Sequence, residues 1–271
     1  MGTRETRGSD RIVAAFVAAR AAGRLTLVPY VVAGYPDVDG SHAAALALID
    51  AGADVLEVGL PYSDPVADGV TLQRASAAAL RGGQTLDRSI ELVERIAAAR
   101  PHVPLIAMGY ANQLLGADDG MTLLARLGRA GASGVIVADL TPDEGGPLEA
   151  SARAAGLALV YLVAPTSTPG RRASIAERTG GFLYCVSMAG ITGARRSLPA
   201  SAARLVRGML PASPLPVAVG FGVSRPVHLR ALAKAGAHGA VVASALVDSL
   251  GPDGRDLGAL DALMRSLRAA C

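Results

Sequence analysis

The chain has 271 residues, of which 51% are hydrophobic but only 3% aromatic, with no Trp, so a large core must be assembled from Ala, Val and Leu. The net charge of +3 is carried without any basic run beyond pairs such as Arg171-Arg172 and Arg195-Arg196, and there are few rings to stack on bases; this excludes a nucleic-acid surface and suits a small anionic substrate. Cys185 and Cys271 give neither a disulfide framework nor a metal-ligand spacing, which points to a reducing cytoplasm, and the mixed-charge N-terminus leads into no apolar run, so neither a signal peptide nor a membrane span is expected.

Asp10 is placed to cap an amphipathic helix over 11–22. A first strand, 25–32, ends at Gly34-Tyr35-Pro36-Asp37, and a helix over 41–51 closes on Gly52. The second strand is 54–59; helices 72–81 and 86–100 follow, split by Gly82-Gly83. Strand 104–108 has Tyr110-Ala111-Asn112 at its exit; helix 121–130 leads to strand 134–138, which ends at Asp139. Helix 147–155 and strand 157–163 come next, then a helix over 169–178 with Pro169 in its first turn. Strand 182–186 runs into a polar, Gly-rich loop, 187–199, and helix 200–209. Strand 216–219, helix 226–235, strand 240–242, a short turn from Ser244 and a helix over 257–269 complete the chain.

Ala51-Gly52-Ala53, Ala130-Gly131-Ala132 and Ala235-Gly236-Ala237 each close a helix just before a strand, and Ala155-Gly156 is similar. A glycine there supplies the left-handed turn back to a sheet. Eight strands alternating with helices in a chain of this length predict a closed α/β fold, a (β/α)8 TIM barrel with an extra N-terminal helix, as a single domain over 1–271. A doubly wound sheet is the alternative.

The stretch from Glu57 to Gly69, EVGLPYSDPVADG, carries the chemistry. Alternation puts Val55, Glu57 and Gly59 on one face of a buried strand. Pro61, Pro65 and Gly69 then force an irregular loop that can return Asp68 over Glu57. Singly, Glu57 reads as an ion-paired core residue and Asp68 as a turn-former. Together at a strand exit, one dry and one wetter, they suit a proton donor and a charge-stabilising partner. Active sites of such barrels lie at the C-terminal strand ends. Lys234, the only lysine, lies late in a helix, which excludes a Schiff base. His42, His102, His228 and His238 all fall away from that face, so no metal is expected. Glu57, Asp64, Asp68, Tyr110, Asn112, Asp139 and Tyr184 remain there, pointing to acid–base chemistry with no cofactor. Gly190-Ile191-Thr192-Gly193, Gly220-Phe221-Gly222 and Ala243-Ser244 follow the last three strands and offer backbone N–H groups to a phosphate.

From Glu57 to Gly69, and again over 184–193 and 219–224, the sequence resembles the tryptophan synthase α subunit family, a likeness that extends from about Leu25 to Leu246. The resemblance implies cleavage of indole-3-glycerol phosphate to indole and glyceraldehyde 3-phosphate without a cofactor. It implies Glu57 as general acid, Asp68 as the carboxylate facing the indole N–H, and Tyr184 near the reacting end of the substrate. It also implies an indole pocket of Tyr30, Met108, Ile136 and Leu162, loop closure through Thr192, and a phosphate site at Gly193, Gly222, Ala243 and Ser244. The expected partner is a pyridoxal-phosphate β subunit in an α2β2-type complex, with no membrane or nucleic-acid partner. Three positions depart from the family pattern: Ala243 replaces a glycine, Val70 a proline, and Met188 an arginine. The rival readings are a free-standing lyase that releases indole for secondary metabolism, a regulatory subunit without activity, and a sugar-phosphate isomerase on the same fold.

Overall fold

The computed structural model of the protein describes residues 7–116, 118, 120–186, 200–220 and 222–271. Helix α1 (Arg7–Ala21) leads to β1 (Thr26–Val32), α2 (Val38–Asp50), β2 (Leu56–Gly59), α3 (Val70–Arg81) and α4 (Leu86–Ala99). The middle of the chain supplies β3 (Leu105–Gly109), the short α5 (Ala111–Leu114), α6 (Met121–Arg129), β4 (Gly134–Val137), α7 (Gly146–Ala154), β5 (Ala158–Val160) and β6 (Leu162–Val163). Then come α8 (Pro169–Arg178), β7 (Leu183–Val186), α9 (Ala200–Met209), β8 (Val217–Gly220), α10 (Pro226–Ala235), β9 (Gly239–Val242), α11 (Ser244–Ser249) and α12 (Leu257–Arg268).

The strands pair in parallel in the order β5-β4-β3-β2-β1-β9-β8-β7-β6, and β5 and β6 are two pieces of one strand interrupted at Tyr161. The first piece pairs with β4 and the second with β7, so this strand brings the two ends of the sheet together into the expected barrel. The interruption was not expected. Tyr161 donates its N–H to Thr179 Oγ1 at 3.0 Å, and its hydroxyl bonds Glu149 Oε1 at 2.7 Å on the outer side, where Arg178 Nε also reaches Glu149 at 2.7 Å. The strands are apolar on both faces, as parallel strands covered by helices must be, and nearly every strand residue is buried. Gly52, Gly131, Gly156 and Gly236 all take the left-handed conformation that returns the chain to the sheet.

Residues 7–10 are already helical, which places Asp10 inside α1 rather than at its cap. The helix closes the N-terminal end of the barrel. A Cβ on Gly134 or Gly181 would lie 3.1 Å from Ile12, and one on Gly239 would lie 2.8 Å from Phe16, so these strand starts have no room for a side chain. From Phe16 an aromatic ladder climbs the interior through Phe182 (5.4 Å between ring centroids) to Tyr184 (5.8 Å). Just outside this end, Asp54 accepts from Leu27 N at 2.8 Å and is gripped by Arg24 at 2.8 Å and Arg268 at 2.9 Å. That cluster ties the last helix to the entrance of β2.

Candidate active site

Laterally paired residues of a sheet face the same way, so register identifies the interior layer. Tyr30 pairs with Glu57, Gly59 with Met108, Met108 with Ile136, and Leu162 with Tyr184. Alternation along each strand joins these pairs into one face. The face is internal, because Tyr184 on β7 lies within electrostatic reach of Glu57 and Tyr30, which stand on strands β2 and β1 that it does not adjoin. Six of the expected residues, Tyr30, Glu57, Met108, Ile136, Leu162 and Tyr184, therefore line one space. Five of them are buried and Leu162 is half-buried at its rim. Glycines make room for the rings: a Cβ on Gly59 would sit within bonding distance of the Tyr30 hydroxyl, and one on Gly220 would collide with Tyr184.

Glu57 is 1% exposed, and its Oε2 has no hydrogen-bond partner among the described residues. Burial, with a smaller push from Asp68, raises its pKa to about 8. It is a carboxyl group held protonated at neutral pH with an oxygen left unengaged. Asp68, at the far end of the loop, has its pKa raised by burial to about 6, while a hydrogen bond from Tyr110 works in the opposite direction. Two carboxyls with separated pKa values can serve as an acid and an ionised partner.

The loop between them is held from one side. Leu60 N donates to Met108 O at 2.7 Å, Gln113 Nε2 to Pro61 O at 2.9 Å, and Asn112 Nδ2 to the Tyr62 hydroxyl at 3.1 Å. The Tyr62 and Tyr110 rings stack with centroids 5.3 Å apart, and the Tyr110 hydroxyl accepts from Ala67 N at 3.2 Å. Tyr110 and Asn112 were expected at this face, but the helix that arms them was not. Its signal was a polar pair, Asn112-Gln113, immediately after an apolar strand and a tyrosine. Asp139, also expected here, accepts from Ala111 N at 2.7 Å.

On the phosphate side, Gly222 is left-handed (φ 81°) and Ser244 opens α11. Ala243 has φ −118°, so the alanine replacing the family glycine does not sit in the left-handed region that favours glycine. Val70 is the first residue of α3 and is largely exposed. Thr192, Gly193 and Met188 lie outside the described residues. His228 Nδ1 accepts from Ser224 N at 3.2 Å and His238 Nδ1 from Val217 N at 2.9 Å, so both hold backbone.

The profile of the family described as "Tryptophan synthase alpha chain" matches residues 16–265. The chain belongs to the tryptophan synthase alpha chain family. A tryptophan synthase alpha chain from a Roseiflexus species is 42% identical over 262 residues, covering 96% of this chain and 99% of the relative. One from Caulobacter vibrioides is 42% identical, covering 89% and 87% of the two chains. Among solved structures, tryptophan synthase from Mycobacterium tuberculosis superimposes with a TM-score of 0.87 at 39% identity, covering 96% of this chain and 97% of that one. A mutant tryptophan synthase α-subunit from Pyrococcus furiosus superimposes with a TM-score of 0.82 at 35% identity, covering 90% and 98%. For a tryptophan synthase alpha chain, the interior layer and the Glu57–Asp68 pair stand where the barrel places its chemistry, at the C-terminal strand ends.

Proposed function

We propose that Glu57 is the proton donor with which this chain carries out the family reaction, cleavage of indole-3-glycerol phosphate to indole and glyceraldehyde 3-phosphate in tryptophan biosynthesis. The observation that carries the assignment is a fully buried carboxyl, pKa about 8, whose Oε2 lacks any partner and which shares the barrel interior with Asp68. Glu57 delivers its proton to the ring carbon that bears the side chain. The ring nitrogen then carries positive charge, which ionised Asp68 balances. Loss of the proton from the adjacent side-chain hydroxyl breaks the carbon–carbon bond; its oxygen becomes the aldehyde of the triose, and the ring leaves as indole. Glu57, having given up its proton, is the base that accepts this one. Tyr184 is positioned beside the reacting end, and Tyr30, Met108, Ile136 and Leu162 enclose the ring.

The phosphate is assigned to Gly222, Ala243 and Ser244, together with Gly193, and loop closure to Thr192. No step calls for a cofactor. The working partner is a tryptophan synthase β subunit. Val66 and Val70, 71% and 68% exposed, flank Asp68 and give the catalytic loop an apolar outer side for such a partner. Among the described residues, no helix is long and apolar enough to cross a membrane, and two cysteines without a disulfide framework support a cytoplasmic reading. Steady-state indole release by the chain alone and with a β subunit from the same genome tests the whole reading. Strong stimulation supports the synthase. A high rate that no β subunit alters, with no complex in sizing chromatography, would instead favour a free-standing lyase.

A further inference from the structure

A four-residue helix has almost no stability of its own. In α5, the N-cap residue Tyr110 supplies no side-chain bond to close the first turn. The first amide is taken from outside: Asp139, at the exit of β4, accepts from Ala111 N at 2.7 Å, the geometry of a charge-assisted cap. The side chains that hold the catalytic loop on this side come from α5 and its cap residue. Gln113 fixes Pro61, Asn112 fixes Tyr62, and Tyr110 stacks on Tyr62 while its hydroxyl bonds Ala67 and Asp68. These bonds run in series from β4 through α5 to the reacting carboxylate.

We propose that Asp139 is a positioning residue for the reaction: by capping α5 it sets the Tyr110 hydroxyl that places Asp68 over the substrate. The proposal rests on reading Asp68 as the charge-balancing carboxylate. Asp139 makes no contact with substrate in this scheme, and its removal leaves Asp68 present but displaced.

The test uses the full chain, with indole release read as kcat and KM for Asp139→Ala, Asp139→Asn, Tyr110→Phe and the double variant Asp139→Ala/Tyr110→Phe. Asp139→Ala lowers kcat by about 10- to 100-fold, the usual consequence of a catalytic group held slightly out of place, with KM nearly unchanged. Asp139→Asn recovers most of the rate, because the amide oxygen still accepts from Ala111 N. The double variant is no worse than Tyr110→Phe alone, since both changes cut the same series of contacts. Wild-type kcat in Asp139→Ala, or two effects that multiply, would overturn the proposal. If circular dichroism shows that Asp139→Ala does not fold, Asp139→Gln, with the acceptor shifted by one methylene, takes its place with the same expected outcome. Asp68→Asn separates the two claims. Full turnover in that variant would refute the reading of Asp68, whereas an inactive Asp68→Asn beside an indifferent Asp139→Ala would refute the positioning role alone.

Discussion

Asp54, two residues before β2, and Glu57, within it, are carboxyls with little exposed side chain, yet their surroundings are opposite. Asp54 is held by two guanidinium groups and a backbone N–H. Glu57 has a bare oxygen and a carboxyl that keeps its proton to about pH 8. The difference teaches that burial alone does not make a carboxyl available for chemistry; Glu57, with Oε2 unengaged among the described residues, is the one the proposed mechanism uses. A paired carboxylate stabilises the fold, and an unpaired one destabilises it in exchange for chemistry.

The largest effect expected is from Glu57→Gln, which should lower kcat by about 10²–10⁴-fold while substrate binding persists. The same variant should sharpen the contrast in stability. The native Glu57 pKa lies above its unfolded value, so the native state binds the proton more tightly, and stability falls as pH rises from about 4.5 to about 8 before levelling off. Glu57→Gln should therefore unfold at a higher temperature than wild type in calorimetry at pH 8.5, and at the same temperature near pH 4. A wild-type-like rate would break the comparison at its functional end.

Asp68→Asn comes next, with a loss of about 10²–10³-fold for removing a charge aimed at the transition state. The pair should titrate in two steps, near pH 6 and near pH 8, with the singly protonated form active between them. Asp68→Asn should leave whatever activity remains without the acidic limb. Asp54→Ala is the mirror experiment. It should leave kcat intact and lower unfolding stability by roughly 1–3 kcal/mol, less than a fully buried pair would lose, because Arg24 is 30% exposed. A loss of turnover without a loss of stability would mean that the Asp54 cluster and Glu57 are not separate in function. The smallest effect is expected at Ala243→Gly. Since φ is negative there and Ala243 is the N-cap of α11, where glycine serves at least as well as alanine, KM should stay unchanged and stability should change by no more than about 0.5 kcal/mol.

The barrel was legible in the sequence because its strands are continuous apolar runs and its helix-to-strand joins repeat Ala-Gly; both signals are local. Glu57 and Asp68 were legible because they sit in a proline-bounded motif after such a run. What escaped is held by partners distant in sequence. The α5 helix is too short for any periodicity and owes its first turn to Asp139. The break at Tyr161 owes its satisfied amide to Thr179, and its ring is directed outward by Glu149. The docking of α1 is tertiary, with Gly8 N bonded to Gly156 O and Gly181 N to Ser9 Oγ. No pattern within a window of a dozen residues carries those contacts.

The break at Tyr161 also says how this barrel breathes. Closure of the whole cylinder runs through one strand, whose two pieces carry separate ladders: three residue pairs toward β4 and two toward β7. Because the ladders do not overlap, a fluctuation that releases either one parts the cylinder along a seam without melting its other strands, a sub-global opening rather than global unfolding. Amide hydrogen exchange should therefore be faster along β6 than along β1, which is paired on both sides. Leu162 belongs to that seam and also to the proposed ring pocket, so an aromatic ligand seated there would act as a wedge that locks the cylinder shut, slowing exchange at a strand far from the carboxylates.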